Sequence, residues 1–226
     1  MLNNLIKKIK SRSKKSIAIV KSSLYHSYTF QKILYFKCKI LLSKKYRNRE
    51  KINIIIGSGG FRQKGWISTE EKFLNLLNKN DWNKLFRRNS ISAILAEHVW
   101  EHLSEKNGKK AVKNCFTFLK NDGYLRIAVP DGYHPNEFYI NSVKVNGTGS
   151  GAKDHKVLFT YKSLCKMLQS SGFQVRLLEY FDENGKFHYH PWGKKDGFVS
   201  RSKKYDERNQ NSKLNYTSLI IDAIKF

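Results

Sequence analysis

A chain of 226 residues that is 40% hydrophobic and 13% aromatic can bury one sizeable α/β core plus an appendage, which excludes wholesale disorder. Its 43 Lys and Arg against 18 Asp and Glu give a formal charge of +25, a field that attracts nucleic acid, anionic lipid headgroups or phosphorylated small molecules. The three cysteines, Cys38, Cys115 and Cys165, are far apart and form no CxxC pair, so no disulfide framework or cysteine zinc site is expected.

Residues 1–50 read as a basic, helical extension. Up to Lys51 the chain carries 15 basic residues and one acid, Glu50. Codon drift in an AT-rich genome also enriches Lys, so the distribution of charge says more than its sum. Leu2, Leu5, Ile6 and Ile9 share one helical face among lysines. A second stretch, Phe30 to Leu42, carries Ile33, Leu34, Ile40 and Leu41 between lysines. Such a segment suits an anionic membrane surface, or packs as an ordinary amphipathic helix on the rest of the chain. No apolar run approaches the roughly 20 residues that span a bilayer. Ile17 to Val20 is too short for a signal-peptide core. A cytoplasmic protein, peripheral at most to the membrane, is expected.

From residue 51 to 226 a single α/β domain is expected. Ile52 to Ile56 is a short, β-branched apolar run, as of a buried parallel strand. It ends in Gly57-Ser58-Gly59-Gly60. Trp66 to Thr69 is a second strand, and Ser92 to Ala96 a third. His98 to Lys106 reads as helical, as does Lys109 to Leu119. Asn121-Asp122-Gly123 marks a turn, and Tyr124 to Val129 another buried strand. Asn141 to Asp154, rich in Gly, Ser and Asn, looks like a loop or lid. Tyr161 to Ser170 reads as a helix, Gln174 to Tyr180 as a strand, 183–213 as polar loops and Tyr216 to Ile224 as a last strand. This alternation means a mostly parallel central sheet.

In such a sheet ligands bind beyond the carboxyl ends of the strands. Glycine there lets the backbone approach a ligand and take positive φ. An acid at the end of the second strand, here Glu70, can accept hydrogen bonds from both hydroxyls of a ribose. Strand, Gly loop, second strand and acid make a nucleoside-binding half-sheet. The dinucleotide version needs G-x-G-x-x-G, and position 62 is Arg, so a nucleoside without a diphosphate fits better.

Further blocks join this loop: Gly65-Trp66-Ile67, AEHVWEHL from Ala96 to Leu103, and LKNDGYLRIAVPD from Leu119 to Asp131. Later come DHK at 154–156, LLEYF at 177–181, GKFH at 185–188, DGF at 196–198, RS at 201–202 and SLIIDA at 218–223. Together they resemble the predicted class I S-adenosylmethionine-dependent methyltransferases associated with bacterial surface-polysaccharide genes, which are methyltransferase type 11-like. The resemblance covers about residues 52–226. It implies a Rossmann-like three-layer sandwich with a seven-stranded, mostly parallel sheet and an antiparallel last strand. It also implies methyl transfer from S-adenosyl-L-methionine to a sugar or glycan-precursor hydroxyl. Gly57, Ser58, Gly59 and Gly60 match the loop under the methionine part of the cofactor, and Glu70 the ribose acid. Asn75 and Asn78 stand where relatives often carry aspartates for the adenine amine. Glu97 and His98 fall beside the cofactor.

Methyl transfer to a hydroxyl usually needs a base. The candidates are His155 at the end of the Gly-rich loop, and Asp131 and His134 after the strand ending at Val129. His188 and His190 flank Tyr189 in a polar loop and rank behind them. RNA is the alternative acceptor, favoured by the charge. A catalytically degenerate binding module is a second alternative. His98-Val-Trp-Glu101-His102 also fits the inverted zinc-protease pattern H-x-x-E-H, with Glu179 as a conceivable third ligand. Its flanking blocks have no place in a protease, so no metal ligands are expected and His102 is expected to pack at a helix–sheet junction.

Overall fold

The computed structural model describes residues 28–209 and 214–226, so the Leu2 to Ile9 amphipathic stretch lies outside the described residues. In chain order the elements are α1 (Tyr28–Arg47), β1 (Ile52–Ile56), β2 (Trp66–Ser68), α2 (Lys79–Leu85), β3 (Ile91–Glu97), α3 (Glu105–Phe118), β4 (Leu119–Pro130), α4 (Glu137–Val143), α5 (Tyr161–Gln169), β5 (Gln174–Phe181), β6 (Phe187–Tyr189) and β7 (Ser218–Ile224). Three single 3-10 turns, Trp100–His102, Ala152–Asp154 and Lys194–Asp196, punctuate the loops. No described helix is long and apolar enough to cross a membrane.

The seven strands form one sheet in the order β2-β1-β3-β4-β7-β5-β6. Among the described residues the expected count holds, and β7 is antiparallel to both neighbours. The sheet is less parallel than expected, however. Three pairings, β2–β1, β1–β3 and β3–β4, are parallel, and the other three are antiparallel. The additional antiparallel pairing comes from β6, inside the stretch read as polar loops. It pairs with β5 across a tight turn in which Gly185 takes φ 73°.

Alternate strand residues divide the core cleanly, as the period of 2 requires. Ile54, Ile56, Ile94, Ala96, Leu125, Ile127, Val129, Leu219 and Ile221 point to one face. There they meet Trp82 of α2, Val112, Cys115 and Phe118 of α3, and Leu164 and Leu168 of α5. Cys38 and Leu42 of α1 join the same cluster, so the described part of the basic extension packs on the sheet. Its far side leaves Phe36 and Ile40 exposed.

The other face departs from the expected three-layer sandwich. It carries Ile55, Ala93, Leu95, Ala128 and Ile220, packed on Trp66, Leu178 and Val199. It also carries Arg126 and Asp222, paired in register across β4 and β7. Among the described residues this face is covered by the irregular segment 190–201, not by a helix. The reason is chemical: a helix docks on a continuous apolar surface, and a buried ion pair in mid-sheet interrupts that surface. Arg126 gives Nε to Asp222 Oδ1 at 2.7 Å and Nη2 to Oδ2 at 2.8 Å, and Nη1 to the Gly197 carbonyl at 2.8 Å. Its guanidinium lies over Trp192, 5.0 Å from the ring centre. The loop is therefore fastened to the sheet by these hydrogen bonds as well as by the packing of Val199 and Trp192.

Two local expectations are refined. His98 to Lys106 is not one helix, because His98 takes φ 54° and the chain makes only the Trp100–His102 turn before Ser104 caps α3. The Asn121-Asp122-Gly123 turn is an excursion inside β4: Asp122 has φ 60°, and pairing with β3 passes from Leu119 directly to Tyr124.

Candidate functional site

The glycine loop leaves β1 at the carboxyl edge of the parallel strands. Gly57, Gly59 and Gly60 have φ of 57°, 55° and 90°, conformations that side-chain-bearing residues rarely adopt. Gly57 is also closely approached: a Cβ there would lie 3.0 Å from Val99 Cγ2. Ser58 N donates to the Thr69 carbonyl at 3.1 Å, and Ser58 Oγ donates to Glu70 Oε1. The loop is thereby tied to the end of β2 through the acid predicted to hold a ribose.

Two cavities share Gly57 in their walls. One, of about 390 Å³, is lined by Gly57, Ser58, Gly59, Glu97, His98, Glu101, His102, Ser150, Gly151, His155, Ser200 and Arg201 among others. The second, of about 350 Å³, is more apolar, with Leu74, Asn75, Leu76, Leu77, Val99 and Leu103 in its wall. Gly57, His98 and His102 line both.

The predicted cofactor residues divide between these walls and elsewhere. Gly57, Ser58, Gly59, Glu97 and His98 line the larger cavity. Asn75 lines the smaller one, with Oδ1 accepting from Leu77 N at 2.8 Å. Asn78 does not belong to the site: it is the N-cap of α2, accepting from Asn80 N at 3.1 Å. An Asn just ahead of a helix satisfies a free N–H, a local role that competes with ligand binding. Gly60 and Glu70 line neither cavity; Glu71 lines the smaller one.

Of the three predicted bases only His155 lines either of these two cavities. Its Nδ1 lies 2.6 Å from the Val143 carbonyl. A carbonyl only accepts, so Nδ1 carries a hydrogen, and in the neutral ring Nε2 is the free acceptor. Asp131 is corrected to a structural role. Its Oδ1 accepts from Tyr133 N at 3.0 Å and Oδ2 from Phe181 N at 2.8 Å, bracing the end of β4 against the end of β5. Burial pushes its carboxyl up to about 6, against the two hydrogen bonds that favour the charged form. His134 is likewise internal, stacked on Tyr139 at 3.9 Å, with Nδ1 accepting from Asn136 N. Burial pulls its pKa down to about 4. His188 pairs with Asp182 at 2.7 Å and stacks on Tyr180, which makes it part of the β5–β6 hairpin.

The two buried groups titrate in opposite senses. His134 favours its neutral form in the fold, so its contribution is present above its unfolded pKa of about 6.5 and is lost as pH falls through 4. Asp131 favours its protonated form, so its contribution is present below about 4 and is lost as pH rises through 6. His134→Gln removes the first effect alone. The stability deficit of this variant relative to the parent, measured by urea unfolding, should shrink by about 3 kcal/mol between pH 7 and pH 4. A constant deficit would show that His134 is not held neutral by the fold.

Ser200 and Arg201 line the larger cavity in addition to the residues expected there. Glu97 brings them there: its Oε1 accepts from Ser200 Oγ at 2.6 Å and Arg201 N at 2.9 Å, and its Oε2 from Ser200 N at 3.1 Å. Glu179, the conceivable zinc ligand, is engaged elsewhere. It accepts from Trp192 Nε1 at 2.8 Å, Lys203 N at 2.7 Å and Thr217 Oγ1 at 2.5 Å, holding the same segment from beneath. Only the resemblance blocks DGF and RS signalled that this segment returns to the site.

Neither a family model nor a curated protein matches the chain. Among solved structures it is similar to an S-adenosylmethionine-dependent methyltransferase from Archaeoglobus fulgidus, at 12% identity and a TM-score of 0.45, over 88% of this chain and 99% of that one. It is similar to another from Thermotoga maritima, at 11% identity and a TM-score of 0.45, over 91% of this chain and 98% of that one. A third is phosphoethanolamine N-methyltransferase 2 of Haemonchus contortus in complex with S-adenosyl-L-methionine, at 12% identity and a TM-score of 0.44, over 90% of this chain and 59% of that one. At these values it is the chain's own residues that carry its functional reading.

Proposed function

We propose that this chain is an S-adenosylmethionine-dependent methyltransferase acting on a hydroxyl of a sugar or glycan precursor. The observation that carries the reading is the pair of cavities meeting at Gly57, one apolar and one polar. The cofactor has the same division, a flat adenine at one end and a charged methionine sulfonium at the other. The approach of Val99 to Gly57 leaves no room for a side chain where backbone and ligand would pass closest.

In this reading Leu74, Leu76, Leu77 and Val99 sandwich the adenine, and Asn75 borders it. Glu70, which lines neither cavity but is tied to Ser58 of the larger one, is assigned to the ribose. Gly57 and Gly59 pass under the methionine part. S-Adenosylmethionine supplies the methyl group. Glu97 fixes Ser200 and Arg201 along the acceptor side, and Ser150 and Gly151 of the Gly-rich loop close over it. Bound there, the cofactor would give its methyl group to the acceptor oxygen. His155 Nε2 takes the hydroxyl proton. Arg201, half-exposed in the cavity wall and 3.6 Å from Glu97 through Nη1, suits an acceptor that carries a phosphate.

Calorimetric titration with S-adenosylhomocysteine tests the reading. One molecule should bind per chain, and Glu70→Ala should weaken it at least tenfold, about 1.4 kcal/mol. No binding by the parent chain, or equal binding by the variant, would falsify the proposal.

A further inference from the structure

The turn after β3 and the end of the Gly-rich loop converge on a second chemistry. Glu101 and His102 belong to the Trp100–His102 turn, and His155 follows the Ala152–Asp154 turn. One ligand atom from each lies within 4.8 Å of the others. The side chain of Glu101 is 1% exposed, and neither carboxylate oxygen has a hydrogen-bond partner among the described residues. His98 Nδ1 stands 2.9 Å from Oε1, an ion pair only when that imidazole is protonated, and among the described residues nothing hydrogen-bonds to Oε2. A buried carboxylate left this way is costly unless a cation meets it.

The histidines are arranged to supply the rest. His155 gives Nδ1–H to the Val143 carbonyl, which leaves Nε2 to bind an ion. A backbone carbonyl on the far nitrogen is what orients metal-bound imidazoles. The rings of His102 and His155 meet edge to face, 4.9 Å between centres. All three residues line the 390 Å³ cavity, so an ion held there would keep positions open to exogenous oxygen ligands.

We infer that Glu101, His102 and His155 form a binding site for a divalent first-row transition metal ion. Two imidazoles and one carboxylate favour zinc or manganese over magnesium or calcium, which prefer all-oxygen shells. Ligand atoms around a tetrahedral ion stand about 3.4 Å apart, given metal–ligand distances near 2.1 Å. Side-chain rotation would draw the present cluster together to that spacing. The set differs from the H-x-x-E-H reading, because His155 joins Glu101 and His102 while His98 stands behind Glu101. Ion binding stands apart from methyl transfer; only its use rests on that reading. There the ion would hold the acceptor oxygen and lower its pKa, and His155 would no longer act as the base.

The test uses the full chain, stripped with chelator and exchanged into metal-free buffer. Zinc, manganese and magnesium chlorides are each titrated calorimetrically, and bound metal is counted by mass spectrometry. We expect one zinc per chain, with binding weakened at least 100-fold in both His155→Ala and Glu101→Gln. His190→Ala, outside the cluster, should bind like the parent. Circular dichroism and S-adenosylhomocysteine titration on the same samples report folding and the cofactor site separately. If Glu101→Gln fails to fold, His155→Ala decides. Substoichiometric zinc, or equal zinc in parent and His155→Ala, overturns the site and assigns the Glu101 charge to His98 alone. Retained S-adenosylhomocysteine binding in that case leaves the methyltransferase reading standing.

Discussion

Asp222→Ala should lower stability by about 3–5 kcal/mol. The variant leaves Arg126 buried on the helix-free face of the sheet with no anion. Arg126 and Asp222 are each 1% exposed, so water cannot replace the lost partner. In a chain of this size the change should appear as a fall of about 10 °C in melting temperature. Arg176 also reaches Asp222, at 2.8 Å, but from an exposed position. Arg176→Ala should therefore cost under about 1 kcal/mol. Replacing the buried pair together, Arg126→Met with Asp222→Leu, should recover much of the loss, because the damage lies in an orphaned charge. Equal melting temperatures for parent and Asp222→Ala would refute the buried pair. The paired replacement should still loosen the loop, since the bond from Arg126 to the Gly197 carbonyl goes with it.

Gly57→Val should reduce S-adenosylhomocysteine affinity at least 100-fold, about 2.7 kcal/mol. Two causes act together. A β-branched residue at φ 57° is a conformational outlier. Its Cβ would also begin 3.0 Å from Val99 Cγ2 and push the loop into the space shared by both cavities. Gly59→Ala is the contrast. Its φ is 55°, yet a Cβ there meets nothing within 4 Å, so only the left-handed conformation is penalised, by about 1–2 kcal/mol of stability. Comparable affinities for Gly57→Val and the parent would mean that the ligand does not pass this loop. The experiment thus separates a glycine needed for close approach from one needed only for turning the chain.

The sequence by itself determined the strands of the main sheet. Ile52 to Ile56 is a strand over the span its β-branched run marks, and β3, β5 and β7 lie within a residue or two of expectation. Such runs are legible because burial on both faces demands continuous apolar character over a short length. The turn at the glycine loop was legible for a related reason: positive φ leaves a local mark in the residue type. Missing from that reading was β6, whose Phe187–Tyr189 is short, half-buried and polar in context. The helix-free second face was equally hidden. Arg126 and Asp222 are 96 residues apart, and only the β4–β7 register makes them one buried pair.

The candidate site followed the same division. Asp131, His134 and His155 are alike in sequence, each a titratable residue in a loop after an apolar strand or glycine run. Tertiary structure alone separated them. It gave both Asp131 oxygens to backbone N–H groups, sealed His134 against Tyr139 and Phe181, and set His155 in a cavity wall. It also placed His155 beside Glu101 and His102, more than 50 positions earlier in the chain. Local pattern reports what a residue does to its own backbone. Which distant group meets it, and whether water is excluded when they meet, is decided by how the sheet edges and loops close over one another.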